Sequence, residues 1–533
     1  MRDAIDWLES RIGTRRGGAT VFALALLLFG LRSIALPVIP GRDFGTYIGY
    51  YVQMWDWHSV VPMAMLFRTP LAPLVIGGTL DLFGGWGLLV VMALLFAASV
   101  VLWTRTALTF GPRAALVTAA ALLAYPGYGI LFHTPASESV AAAAFAVWGL
   151  AAARAWVVPG VGRFAVLGAA TAMTALARPA FEVLVLVAAV PLVLRLPWRA
   201  RLGCTAACAG VAIAVLGSWT VLNGLRYDDY TLSRAGAFLP FYRTFTTDHI
   251  VSPDNGPASR ELADAVTREL LPEEPYRSYG ITLDEFFRRG GPREFEDVVG
   301  ITDRVWGWDS DYAHMRAVGI EAVRAHPLRY LSGVGTTTFE ELWKPLFVAL
   351  PNTGAAAPGD TSGPGEASKA GARPALPVPT DGEVIPAARQ GFFSTTPDGH
   401  IRERWTSAVD HSRVFATREQ QQRYDEMARD ADVLFAEVPP YAGNEWLTLQ
   451  FSRSSKLFPP LVLWLGAGLA GLVVRRPQRS GLALALAGAA ALVIVLQALA
   501  IYTIIEFAVP VAPAFVVLGV AGLVGAPARC VAR

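Results

Sequence analysis

Residues 19–39 read ATVFALALLLFGLRSIALPVI, and residues 40–51 continue as PGRDFGTYIGYY. The first stretch is apolar over the roughly 20 residues that cross a bilayer. Arg32 is its one charged side chain. The second stretch sets a carboxylate, Asp43, just beyond that span, where water and lipid head groups meet. On an extracytoplasmic face such a carboxylate is a candidate base for a lipid-borne substrate. The topology therefore decides how Asp43 is read.

Working outward, the 533-residue chain is 53% hydrophobic and 17% charged, with a mean hydropathy of +0.42. Soluble chains carry about 25% charge. Further apolar stretches lie at about 85–103, 114–132, 136–153, 163–177, 179–194, 202–222, 457–474, 481–500 and 503–525. The two stretches flanking Arg178 are short for a crossing. Segment 70–83, interrupted by glycine and proline, reads as an interfacial helix. The expected fold class is an all-α polytopic membrane protein with about 10 transmembrane helices. No cleavable signal is read at the first span, which has no small-residue cleavage site before a polar start.

The basic residues orient the chain. Arg11, Arg15 and Arg16 precede the first span, and Arg105 and Arg113 follow the second. Then come Arg154 and Arg163, the group Arg195, Arg199 and Arg201, the group Arg475, Arg476 and Arg479, and finally Arg529 and Arg533. With about ten crossings all six groups share one side, which the positive-inside rule makes cytoplasmic. The expectation is a multi-pass plasma-membrane protein with both termini cytoplasmic. Its parts are a transmembrane module at 1–222 with a first outer loop at 40–84, an extracytoplasmic region at 223–455, and transmembrane helices at 456–533.

In the outer region, Tyr312, Met315, Gly319, Ala322 and Val323 follow helical spacing, and Pro327 breaks or restarts that helix. Segment 413–434 is also helix-like. Segment 351–379, rich in Ala, Gly, Pro and Ser, reads as a flexible loop. No sustained strand alternation is present, so the region is expected to be mostly helical.

Several function classes are disfavoured. A net charge of +2 gives no basic footprint for nucleic acid. There is no phosphate-binding P-loop, no dinucleotide fingerprint and no His-Glu-x-x-His pair. Cys204 and Cys208, one helical turn apart in an apolar span, read as packing residues. No metal site is expected, and a single carboxylate near a phosphate does not call for a divalent cation.

The chemistry-bearing residues gather on the outer side. Asp43 opens a helix at 44–55 whose Tyr47, Tyr50, Tyr51 and Trp55 suit an interfacial aromatic belt; as a favoured N-cap residue it could also cap that helix. Arg42 precedes it. Arg68, in Phe67-Arg-Thr-Pro70, lies within reach of phosphates. His133 and Glu138 flank the start of the fourth span, where a helix N-terminus also favours a carboxylate. Arg178, in Ala177-Arg-Pro179, is costly in an apolar hairpin unless it meets water or an anion, and its planar fork suits phosphate. Glu182, one turn on, is a spacing partner for it. Arg32 and Glu506 are intramembrane charges.

These pieces, in this order, resemble bacterial membrane glycosyltransferases of the GT-C superfamily, in the protein-mannosyltransferase and aminoarabinose-transferase-like branch. The likeness lies in Asp43, in Arg-Thr-Pro-x-x-Pro at 68–73, in Pro-x-Ser-Glu at 135–138, and in Ala-Arg-Pro at 177–179. It continues in the Trp219…Asn223…Ser233 stretch and in Glu321-Ala-Val-Arg-Ala-His-Pro-Leu-Arg-Tyr330. It covers about the first 345 residues and the final spans. The first loop departs from a paired acidic motif, with Arg42 beside Asp43, and Glu506 stands where relatives place an arginine.

The resemblance implies a polyprenyl-phosphate sugar donor and a glycan, lipid or protein acceptor. Asp43 is then the general base, and Arg178 and Arg68 bind the donor phosphate. Arg42, Tyr47, His133, Glu138 and Glu506 shape the sugar or acceptor pocket, and transfer inverts the anomeric centre. Membrane lipids are the other partners. Competing expectations are a lipid or glycan transporter or flippase running along Arg32, Arg178 and Glu506, and a non-catalytic envelope assembly subunit. No repeated halves of the transporter kind are found.

Overall fold

The computed structural model describes residues 2–35, 38–41, 43–55, 68–227, 230–236, 238–273, 276–306, 312–344, 393–395, 401–403, 418–437, 450, 453, 457–501 and 505–527. Within them the chain is almost entirely helical. Five helices are long and apolar enough to cross a membrane: Arg15–Ile34, Leu71–Phe110, Ser137–Val157, Trp198–Arg226 and Ser480–Ala500. Five shorter apolar ones, Pro112–Ala124, Val161–Ala177, Pro179–Val193, Leu461–Arg475 and Val509–Val524, stand among them.

In chain order the first elements are α1 (Arg2–Ile12), α2 (Arg15–Ala35), α3 (Phe44–Gln53), α4 (Leu71–Ala107), α5 (Pro112–Ala124), α6 (Pro126–Leu131), α7 (Ser137–Val157), α8 (Val161–Ala177) and α9 (Trp198–Tyr227). Helices α2, α4, α7, α8 and α9 pack side by side in that order. After a helical domain come α18 (Leu461–Arg475), α19 (Ser480–Ala500) and α20 (Ala512–Val524). Helix α20 is apolar all round and is buried from Ala512 through Gly522, as a helix in the middle of a bundle should be.

Three local features differ from the sequence expectation. First, α4 runs through the segment read as interfacial, but Gly84 (φ 64°, ψ −169°) interrupts its helical backbone where that segment was to end. Only glycine takes such angles cheaply. Second, the stretch expected at 114–132 is two helices. Pro126 lacks the N–H that would continue α5 and forces Tyr125 into extended backbone.

Third, Pro179–Val193 is a 15-residue 3₁₀-helix rather than an α-helix. A 3₁₀-helix rises about 2.0 Å per residue, so this piece reaches about 30 Å, the thickness of a hydrocarbon core.

The domain inserted between α9 and α18 comprises α10 (Leu239–Thr246), α11 (Pro257–Glu269), α12 (Tyr276–Tyr279), α13 (Leu283–Arg289), α14 (Pro292–Trp306), α15 (Ala313–Ala325) and α16 (Pro327–Trp343). Its own core is aromatic, built on Phe238, Phe241, Phe245, Phe286 and Phe295. The expected break at Pro327 separates α15 from α16. Beyond them a two-stranded antiparallel hairpin pairs β1 (Phe393–Thr395) with β2 (Ile401–Glu403). Helix α17 (Arg418–Glu437) coincides with the stretch expected to be helix-like at 413–434 from Arg418 onward, 413–417 lying outside the described residues. The flexible loop expected at 351–379 lies outside the described residues.

Helix α17 returns from far along the chain to pack on α3 and α4. It buries Tyr424, Met427 and Ala431. Arg423 grips Asp81 of α4 through two hydrogen bonds of 2.6 and 3.2 Å, and the Tyr51 hydroxyl donates to the same carboxylate at 2.9 Å.

Candidate functional site

Asp43 occupies the N-cap position of α3 in left-handed backbone (φ 63°, ψ 17°) and makes no side-chain cap hydrogen bond. Asp is among the few non-glycine residues that tolerate this region. Its carboxylate instead accepts a 2.5 Å hydrogen bond from Arg68, and the side chains of Arg68 and Asp43 are only 19% and 8% exposed. The Tyr50 hydroxyl donates to the Arg68 carbonyl at 2.7 Å, tying the segment before α4 to α3.

Glu138 lies in the first turn of α7. It forms an ion pair with Arg178, which stands in extended backbone between α8 and the 3₁₀-helix. These two side chains are also nearly buried. Arg178 therefore meets Glu138, distant in sequence, rather than Glu182 one turn away. Its guanidinium lies 3.8 Å from the centre of the Phe507 ring. Glu506 is half-buried next to that phenylalanine.

Tyr47 joins the two pairs. It is buried one turn into α3, with the Arg68 guanidinium 5.9 Å from its ring. It hydrogen-bonds to Ser137 and feels the charges of Asp43, Arg68 and Glu138. Burial first, then the two carboxylates, push its phenol up to about 12, against the pull of Arg68 and Ser137, so it stays protonated. The Ser137 hydroxyl also donates to Glu138 at 3.1 Å.

The loops carrying these groups are zipped together. The Ile39 N–H donates to the His133 carbonyl at 3.0 Å. Gly41 is packed so that a Cβ would fall 2.6 Å from the Pro135 carbonyl oxygen, so only glycine fits there.

The structure thus brings Asp43, Arg68, Tyr47, Glu138 and Arg178 to one end of the bundle, with Glu506 at its edge. His133 lies deeper. It is fully buried, stacked on Phe29 at 4.2 Å, and shares its surroundings with Arg32. Arg32 donates to the Leu123 carbonyl at 2.7 Å and lies over the Phe96 ring. Arg42 lies outside the described residues. The expected aromatic belt is corrected: Tyr47, Tyr50 and Tyr51 are buried inward, and only Trp55 is exposed.

Sequence reasoning named Ser137 only within the Pro-x-Ser-Glu motif and Tyr51 only as part of an aromatic belt, and did not single out Phe507 or the Asp81–Arg423 pair. Asp81, an isolated acid in an apolar segment, carried a readable signal. Among the described residues no group of three or more His, Cys, Asp or Glu stands close enough to hold a metal. Comparison with protein-family models, with curated proteins and with solved structures finds no match to this chain.

Proposed function

We propose that the protein is a membrane glycosyltransferase that moves a sugar from a polyprenyl-phosphate donor to an envelope glycan, lipid or protein acceptor. On this reading the bundle makes about ten crossings, both termini are cytoplasmic, and the Asp43 end faces the extracytoplasmic side. The observation that carries the reading is the joined pair of ion pairs, Asp43–Arg68 and Glu138–Arg178, linked by Tyr47 at one end of an apolar bundle.

Each arginine rests on a carboxylate until a stronger anion arrives. A donor phosphate presents oxygens that guanidinium forks bind in pairs. Arg178 and Arg68 turn to it, and Asp43 loses its cationic partner as the donor seats. The freed carboxylate then takes the proton of the acceptor hydroxyl. The acceptor oxygen bonds to the anomeric carbon while the bond from that carbon to the phosphate oxygen breaks. Attack opposite the phosphate inverts the centre, and polyprenyl phosphate leaves with its charge neutralised by the arginines. Glu138, Tyr47 and Glu506 border the sugar, with His133 behind them.

Binding of tritiated polyprenyl monophosphate tests the site independently of sugar identity. Saturable binding that weakens in Arg178→Ala supports the reading, and binding unchanged by that substitution contradicts it. A transporter is the second reading. It draws on Arg32, whose Nη1 is buried inside the bundle without a hydrogen-bond partner among the described residues. A transporter moves the donor between leaflets and releases no lipid phosphate.

A further inference from the structure

Helix α16 leaves large apolar side chains uncovered on its outer face. Its buried positions are Val334, Thr337 and Glu341. The Tyr330 hydroxyl on the same side reaches the Leu499 carbonyl of α19 at 2.6 Å. Leu328, Leu331, Phe339 and Trp343 point away, at 80%, 58%, 56% and 52% exposure. Successive helical residues advance about 100°, so these four form one stripe, with the small residues Ser332 and Gly335 among them. A water-soluble helix buries such a stripe and exposes its polar face. Here Val334 shares the buried face with Thr337 and Glu341, yet the stripe of large apolar side chains stays uncovered, as it does where the surroundings are lipid.

The stripe is also continuous with the membrane bundle. Helix α16 packs against α19 and α18, and Leu342 joins the bundle core. Buried Arg243 of α10 donates to the carbonyls of Ala498 and Ile501, while Asp248 accepts from Arg243 at 3.0 and 3.2 Å. This pins the helix across the C-terminal end of α19, at the Asp43 end of the bundle. Stacked Phe339 and Trp343 close one end of the stripe, a pairing suited to the head-group level. Exposed Arg324 and Arg329 flank its start, and cations there complement anionic head groups; Lys344 at its finish pairs with Glu340 at 3.1 Å.

We infer that α16 is an interfacial helix whose Leu328–Leu331–Phe339–Trp343 stripe lies in the lipid leaflet at the Asp43 end, so that the inserted domain rests on the bilayer. The occupant of the stripe is lipid, not water and not protein. This assignment stands independently of any catalytic role.

The test uses the full chain with Cys530 replaced by serine, the buried Cys204 and Cys208 being retained. Nitroxide is attached at Leu331→Cys, at Phe339→Cys, and at Arg260→Cys, a water-facing site on α11. Each protein is reconstituted in vesicles of phosphatidylcholine and phosphatidylglycerol. The accessibility ratio of oxygen to a nickel chelate at 331 and 339 is expected to exceed that at 260 several-fold. A ratio equal to that at 260 places the stripe in water and overturns the inference. Suppressed collisions with both reagents mean that protein covers it, either segment 345–417 or a second copy of the chain, and overturn it equally.

Discussion

Asp43 holds a left-handed backbone conformation that an asparagine adopts as readily as an aspartate. Asp43→Asn therefore keeps this backbone conformation, leaves an oxygen to accept from Arg68, and removes the proposed base. General base catalysis contributes about 10²–10⁴-fold, so turnover should fall by that order, measured at saturating donor and acceptor. Gly129 supplies a structural contrast. A Cβ there would lie within 1.8 Å of Arg32 Nη1, inside the bundle. Gly129→Ala must displace that guanidinium, and overpacking of this kind costs about 1–3 kcal/mol, read as a lower melting temperature in detergent. Asp43, Glu138 and Arg178 were legible as candidates because charges next to apolar spans are conspicuous. Their partners were not, because Arg178 pairs across the bundle with Glu138 while helical spacing points to Glu182.

Among the elements, α18 and α20 approach closely through glycine. A Cβ on Gly471 would sit 2.3 Å from the Gly522 carbonyl oxygen. Gly471→Leu should force the two helices apart and destabilise the bundle, measured by thermal unfolding in detergent. The contact of α17 behaves differently. Its Arg423–Asp81 pair is partly exposed, and such pairs contribute about 0–1 kcal/mol. Arg423→Ala should leave stability nearly unchanged. Helix positions were legible from apolar length and from Pro327, while the break at Pro126 went unread within the stretch 114–132. The 3₁₀ form of Pro179–Val193 was not, because composition reports how apolar a stretch is and not its rise per residue. The docking of α17 was equally hidden, since it depends on Asp81 and Arg423 meeting across most of the chain.

Across the whole molecule, the inserted helical domain is tied internally by two acid-sensitive contacts. Glu321 of α15 accepts the backbone N–H groups of Ala258 and Ser259 and the Ser259 hydroxyl at the start of α11. Burial alone would raise its carboxyl, but these hydrogen bonds outweigh it and hold it below the ordinary value. Burial likewise lowers His314, against the pull of Glu261 and its hydrogen bond to Ala258.

In both cases the unfolded chain takes up the proton first as pH falls, so acid favours unfolding. Stability of the domain should decline first below about pH 6.5, as His314 is titrated, and again below about pH 4.3, as Glu321 is. Hydrogen exchange across 257–325 as a function of pH checks both steps.

Chemistry at the Asp43 end is read out by a single assay. Reconstituted protein is given radiolabelled polyprenyl-phosphate arabinose, mannose or galactose with a membrane acceptor extract, and release of polyprenyl phosphate is followed. The account predicts release by the native chain and its near loss in Asp43→Asn at equal expression. Full release by Asp43→Asn, or movement of donor between leaflets without release, would contradict it.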